Sequence, residues 1–139
     1  MIVLLDTDVL IDVALLREPF SQYSSKILEL AEQKVLNAFI AWHSISNFYY
    51  IVESKSKSKN YKTTEFIREL LQFIQLSSTK TKDAIFATTL NVSDFEDAMQ
   101  IAAANACNAE LIITRNVKHY KLSPIKAKSP MDFIKNLIN

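Results

Sequence analysis

Ile2-Val3-Leu4-Leu5-Asp6-Thr7-Asp8 is the stretch that decides the fold. Four bulky apolar residues in a row are too apolar for a strand with one wet face and too few for a helix. They read as a central strand over residues 2–6, buried on both faces, as strands of a parallel sheet are. Asp6 then falls at the carboxyl end of that strand. In open α/β sheets the crevice beyond the strand carboxyl ends receives ligands, so a carboxylate there points toward a site rather than a core.

Outward from this strand, helices and apolar runs alternate. Residues 8–16 read as a short helix broken before Pro19. Residues 21–33 form an amphipathic helix with Tyr23, Ile27, Leu30 and Ala31 on one stripe. Val35–Ala41 is a second strand, and a helix runs from about Ser44 through Val52. The polar, low-complexity residues 54–60 read as a loop. A helix over 63–75 places Phe66, Leu70 and Phe73 at helical spacing, and 74–77 is a short strand. Lys82–Leu90 is a helix. Ser93 followed by Glu96 has the form of a capping box opening the next helix. Leu111–Ile113 is a buried strand ending at Thr114-Arg115-Asn116. A last strand near Ile125–Ala127 leads to a helix begun by Pro130. The alternation implies one α/β domain over 1–139, a three-layer α/β/α sandwich around a parallel sheet.

Composition narrows the function. The 139 residues carry a formal charge of +1, which is not the balance of a protein whose affinity rests on a broad phosphate-binding face. No glycine is present, which excludes both a P-loop and a Rossmann fingerprint. Turns needing positive φ must then use other residues, with Asn37, Asn91 and Asn108 the natural candidates. Cys107 is the single cysteine and reads as a small buried residue in an Ala-rich helix. With no internal disulfide available, the chain fits a reducing cytoplasm. No basic segment precedes Ile2 and no apolar run approaches the ~20 residues of a membrane span, so neither signal peptide nor membrane anchor is expected.

Three polar clusters lie beyond strand ends or at a helix start. Asp6 could simply cap the following helix. Asp94 and Glu96 are explained by their place in a first helical turn. Asp97 is not: its face continues to Ile101 and Ala104, so its carboxylate needs a partner, a metal or an opening. Thr114-Arg115-Asn116 could form only a turn. Carboxylates brought together repel unless a cation sits between them, and an oxygen-rich site suits Mg²⁺ or Mn²⁺.

The segments LLDTDVLID, WHSISNFYYIV, DFEDAMQIAAANACNAELIITRN and VKHYKLSPIKAKSPMDFI, in this order, resemble the PIN domain. The resemblance is to the bacterial branch that includes VapC-like and PilT N-terminus-like proteins, and it covers nearly the whole chain. It implies metal-dependent cleavage of RNA, an acidic pocket holding Mg²⁺ or Mn²⁺, and, as partners, RNA, a cognate antitoxin and a second copy of the chain. Asp6 matches the first family acid and Asp97 the central helix acid. The second family acid falls at Asn47, and the fourth at Asn116 or His119. The expected catalytic residues are thus Asp6, Asp97 and Asn116, with Asp6 and Asp97 on the metal. Thr7, Asn47, Thr114 and His119 stand as supporting polar groups, and Asp8, Asp94 or Glu96 as compensating acids. Tyr49, Tyr50 and Lys118 could guide a single strand, although core packing is the preferred reading of the two tyrosines.

Two other readings remain. With two family acids missing, the chain could be a degenerate PIN domain that binds RNA or protein without cutting. LLDTDVL also resembles the first motif of haloacid-dehalogenase-like phosphatases, but no acid pair follows residues 111–113.

Overall fold

The structure is a computed structural model that describes residues 1–56 and 62–138. Five parallel strands form one sheet in the order β3-β2-β1-β4-β5. They are β1 (Ile2–Leu5), β2 (Asn37–Ile40), β3 (Gln75–Leu76), β4 (Leu111–Ile113) and β5 (Ala127–Lys128). Between them run α1 (Thr7–Ala14), α2 (Ser21–Glu32), α3 (Trp42–Lys55), α4 (Thr63–Leu70), α5 (Thr81–Thr89) and α6 (Phe95–Ala106), with α7 (Pro130–Ile138) closing the chain. A short 3-10 turn, Val117–Tyr120, follows β4.

The central strand is buried on both faces, as its composition demands. Val3 and Leu5 pack into one core with Val9, Ile27, Phe48 and Phe133, from α1, α2, α3 and α7. Leu4 points the opposite way and joins Ile101, Ala103 and Ala104 of α6, with Ile112 and Tyr120. The period of two in a strand thus splits one apolar run between two helical layers. Small alanines on α6 let that helix lie close to the sheet, where Ala103 and Ala104 are fully buried.

The strand order reverses at β1. Leu4 pairs with Phe39 of β2 on one side and with Ile112 of β4 on the other. This is the switch point where α/β sheets open a crevice. Asp6 follows β1 and Thr114 follows β4, so both stand at its mouth.

Element boundaries differ from the sequence reading in ways that local chemistry explains. β1 ends at Leu5, because Asp6 already caps α1: its Oδ1 accepts from the Thr7 N–H at 2.7 Å. Asp6 still donates its backbone N–H to Ile113 at 2.9 Å, continuing the ladder one residue further. The helix expected from Ser44 begins at Trp42, and the one expected over 63–75 stops at Leu70. Ser54 and Lys55 belong to α3 and not to the expected loop; residues 57–60 of that loop lie outside the described residues. The last strand is Ala127–Lys128, two residues beyond its expected start. The cap of α6 is Asp94, not Ser93, its Oδ1 accepting from Glu96 at 2.7 Å and Asp97 at 3.3 Å. This leaves the Glu96 side chain free to turn elsewhere. Of the three asparagines proposed for left-handed turns, only Asn108 takes one; among the described residues Leu16 and Lys34 take one as well. Cys107 caps the end of α6, partly buried, rather than lying inside it.

Candidate active site

Two elements deliver the acids: the β1–α1 junction brings Asp6 and Asp8, and the first turn of α6 brings Glu96 and Asp97. The turn after β4 brings the groups that hold them. Asp6 is 7% exposed. Its Oδ2 accepts from the Thr114 hydroxyl at 2.8 Å and from the Tyr120 hydroxyl at 3.0 Å. The same Tyr120 oxygen lies 3.4 Å from Asp97 Oδ1. Asp6 and Asp97, far apart in the chain, are therefore no farther apart in space than two hydrogen bonds. On the other side of Asp97, His119 Nδ1 lies 3.4 Å from Oδ2.

Capping does not account for Asp6. An asparagine caps a helix as well as an aspartate, and a cap contributes only about 1 kcal/mol. The Asp6 charge acts on the acids around it. The Asp8 carboxyl is pushed up to about 7, first by burial and then by the Asp6 charge. Burial raises Glu96, with Asp6 the next cause. Burial likewise raises Asp97, followed by Asp94 and Asp6, while His119 and Tyr120 pull it down. Retaining this charge where Asn would cap as well points to a use for it.

The supporting residues separate into three groups. Thr114 joins Asp6 to Asp8, its hydroxyl lying 3.3 Å from Asp8 Oδ2, and it accepts from the Asn116 N–H at 3.0 Å. Asn116 faces Asp8, at 3.3 Å from its Nδ2, and not the Asp6–Asp97 pair. Asn47, on the second turn of α3, donates to Glu96 Oε1 at 3.0 Å and so places that acid across from Asp6. Thr7 turns away from the mouth. Its hydroxyl donates to Ser44 Oγ at 3.0 Å, and Gln100 Nε2 reaches Ser44 at 2.8 Å and Thr7 at 3.4 Å. This buried triad ties α1, α3 and α6 together beneath the acids.

Sequence reasoning missed Tyr120, Gln100 and His43. Gln100 carried a signal: a polar residue three positions after Asp97 on an otherwise apolar helix. His43 is half-buried with its Nε2 unpartnered, and lines a cavity of about 180 Å³ with Trp42, Phe95 and Met99. Its pKa is lowered by burial, against the pull of the Asp6 charge. Tyr50 corrects an expectation. It is 69% exposed, because α3 buries Ser44, Phe48 and Val52, and Tyr50 falls off that face. Tyr49 is half-buried and meets Tyr50 edge-on, ring centroids 5.3 Å apart. Lys118 is exposed on the 3-10 turn.

The donor set around Asp6 is chemically suited to a hard cation: carboxylate oxygens of Asp6, Asp97 and Glu96, with Asn47 beside them. The buried Asp8 Oδ1 has no hydrogen-bond partner. Among the described residues no three His, Cys, Asp or Glu side chains form a closed metal cage as they stand. The acids that do meet are held in place by neutral hydroxyls.

A family model for the PIN domain matches residues 2–118. The chain belongs to the PIN domain family. The haloacid-dehalogenase-like alternative is thereby set aside. No curated protein sequence matches the chain. Among solved structures, this PIN domain is similar to VapBC2 from Rickettsia felis bound to a DNA fragment from their promoter. That likeness has a TM-score of 0.71 and 20% identity, over 93% of this chain and 98% of the other. It is also similar to VapBC-1 from nontypeable Haemophilus influenzae, with a TM-score of 0.60 and 13% identity, over 94% of this chain and 99% of the other. FitAcB from Neisseria gonorrhoeae gives a TM-score of 0.57 and 16% identity, over 93% of this chain and 98% of the other. These likenesses are to the fold; the five-stranded parallel sheet flanked by helices is the PIN arrangement. Among the described residues, no helix of this PIN domain is long and apolar enough to cross a membrane.

Proposed function

We propose that this PIN domain is a divalent-metal-dependent ribonuclease acting as the toxin of a toxin–antitoxin pair in the cytoplasm. The observation that carries the reading is the convergence of Asp6 and Asp97 on one hydroxyl at the switch point of the sheet. Asp6 and Asp97 would hold Mg²⁺ or Mn²⁺, with Glu96 as the third carboxylate. When bound, such an ion supplies a water of lowered pKa and offsets charge growing on a phosphate.

The chain's own residues do the rest. Thr114 and the Thr7 N–H fix the orientation of Asp6. Asn47 presents Glu96 to the same mouth, in the place where the family's α3 acid falls. His119 pairs with Asp97 where another acid would add repulsion. Asn116 braces Asp8 and acts on the site through it. Exposed Trp42, Tyr50 and Lys118 offer stacking faces and charge to an unpaired strand of RNA. The solved relatives named as VapBC and FitAcB support an antitoxin as partner, and the exposed apolar Trp42, Ile85 and Phe95 support a second copy of the chain.

Incubation of the purified chain with single-stranded RNA and Mn²⁺ tests the reading. Cleavage that stops in chelator and in Asp6→Asn is expected; cleavage that persists in Asp6→Asn overturns it. A second reading, a PIN domain that binds RNA without cutting, is favoured by Asn47 and His119 standing where acids are expected. It predicts RNA retention with no cleavage at any Mn²⁺ concentration.

A further inference from the structure

Tyr120 is the least exposed functional group at the mouth after Thr114, at 3% of its surface. Its ring packs with Leu4, Ile101, Ala103, Ala104 and Ile112, so the phenol has little room to turn. Among the described residues, its oxygen is the one group within reach of both Asp6 Oδ2, at 3.0 Å, and Asp97 Oδ1, at 3.4 Å. A phenol carries a single proton. It can donate fully to one carboxylate, and Asp6 at the shorter distance receives it. Asp97 Oδ1 is the alternative acceptor at the longer distance, and Asp97 is held on its other side by His119.

Resting on the metal-dependent reading above, we propose that Tyr120 is a positioning residue whose hydroxyl competes with the cation for Asp6 and Asp97. The hydroxyl is the neutral stand-in that lets the two acids lie side by side. To load, an ion must take over the oxygens this hydroxyl now holds. Tyr120 thereby sets the divalent concentration at which the site fills.

As a neutral phenol it spends its one proton on Asp6, and an ion that takes that Asp6 oxygen displaces this hydrogen bond. Thr114 differs: its hydroxyl comes from the strand side and ties Asp6 to Asp8, leaving the Asp97 side of Asp6 open.

The test is Tyr120→Phe, which removes one oxygen and keeps the ring in its apolar packing. Mn²⁺ titration by calorimetry on both proteins reads the competition directly. Losing a hydrogen bond to a charged group should tighten Mn²⁺ binding about ten- to a hundredfold. A merely structural tyrosine would leave the Kd unchanged or weaken it, and either result overturns the proposal while leaving the metal site standing. Absence of Mn²⁺ binding in both proteins overturns the metal-dependent reading and this proposal with it. A second readout uses the wild-type chain: Mn²⁺ should perturb tyrosine ultraviolet absorbance, and the perturbation should vanish in Tyr120→Phe. A wild-type spectrum unchanged at saturating Mn²⁺ also overturns the proposal.

Discussion

Asp6 caps α1 and Asp12 lies in its second turn; both are buried, yet they are held by opposite chemistries. Asp12 is fully buried, and its Oδ2 accepts from Arg115 Nε at 2.6 Å. The guanidinium is itself stacked over the Phe20 ring, 4.2 Å from its centroid. Burial raises the Asp12 carboxyl and the Arg115 hydrogen bond and charge pull it back. Among the described residues Asp6 has no such cation. It is held by an amide and two hydroxyls, and it raises the pKa of three acids around it. One turn after β4 serves both: Thr114 faces Asp6 and Arg115 faces Asp12. An internal cation closes one acid into the structure, and neutral donors leave the other's charge available to a cation from outside. A carboxylate's partner, more than its burial, separates a structural acid from a functional one.

The largest effect should come from breaking the closed pair. Arg115→Met leaves Asp12 buried and uncompensated and should cost about 3–5 kcal/mol in urea unfolding. Replacing both partners, Asp12→Leu with Arg115→Met, should recover most of that loss. If the single variant is as stable as the wild type, Asp12 is no more fixed than Asp6 and the contrast fails.

At the open end, Asp8 gives the contrast a pH dependence. Its folded pKa, about 7, lies above the ordinary carboxylate value of 3.8, so between these pH values the folded chain holds a proton that the unfolded chain has released. Its contribution is therefore fully present below pH 3.8 and is lost as pH rises through 7. In chelator, Asp8→Asn should flatten the fall in stability across that window and be more stable than the wild type at pH 8, by at most about 4 kcal/mol. A steeper fall in the variant would contradict this assignment.

The two asparagines near the acids should not respond alike. Asn47 touches Glu96, while Asn116 touches Asp8 on the far side of Thr114. Asn47→Asp adds a carboxylate beside Glu96 and should tighten Mn²⁺ binding about tenfold. Asn116→Asp should change it by about threefold or less, because it touches Asp8 and none of the proposed donors Asp6, Asp97 and Glu96. Calorimetry on both variants would expose the reverse ranking, which would move the site toward Asp8.

Much of this was legible in the chain itself. The apolar runs at Ile2, Leu111 and the strand after Lys34 had one economical arrangement, a parallel sheet, and a carboxylate ending the first run pointed to its rim. Asp97 was legible because its helical face is otherwise apolar. Tyr120 was not, since its partners lie 114 and 23 positions away and nothing local marks a tyrosine after a turn as a donor to acids. Arg115 was hidden for the same reason, 103 positions from Asp12. The capping-box pattern at Ser93 misled because Asp94, one residue later, is as good a cap and leaves Glu96 to reach Asn47. Spacing reveals periodic structure, whereas pairing across the sheet depends on register, which no local pattern carries.

The central claim is that Asp6 and Asp97 act on one cation. Mn²⁺ calorimetry on the wild-type chain, Asp6→Asn and Asp97→Asn tests it most directly. One site should appear in the wild type and be lost in each variant. Asp97→Asn should keep or slightly raise stability in chelator, because removing one of two like charges relieves repulsion. A variant that binds Mn²⁺ with the wild-type affinity, or an Asp97→Asn chain that loses several kcal/mol without metal, would place that acid with Asp12 among the closed pairs and contradict the account.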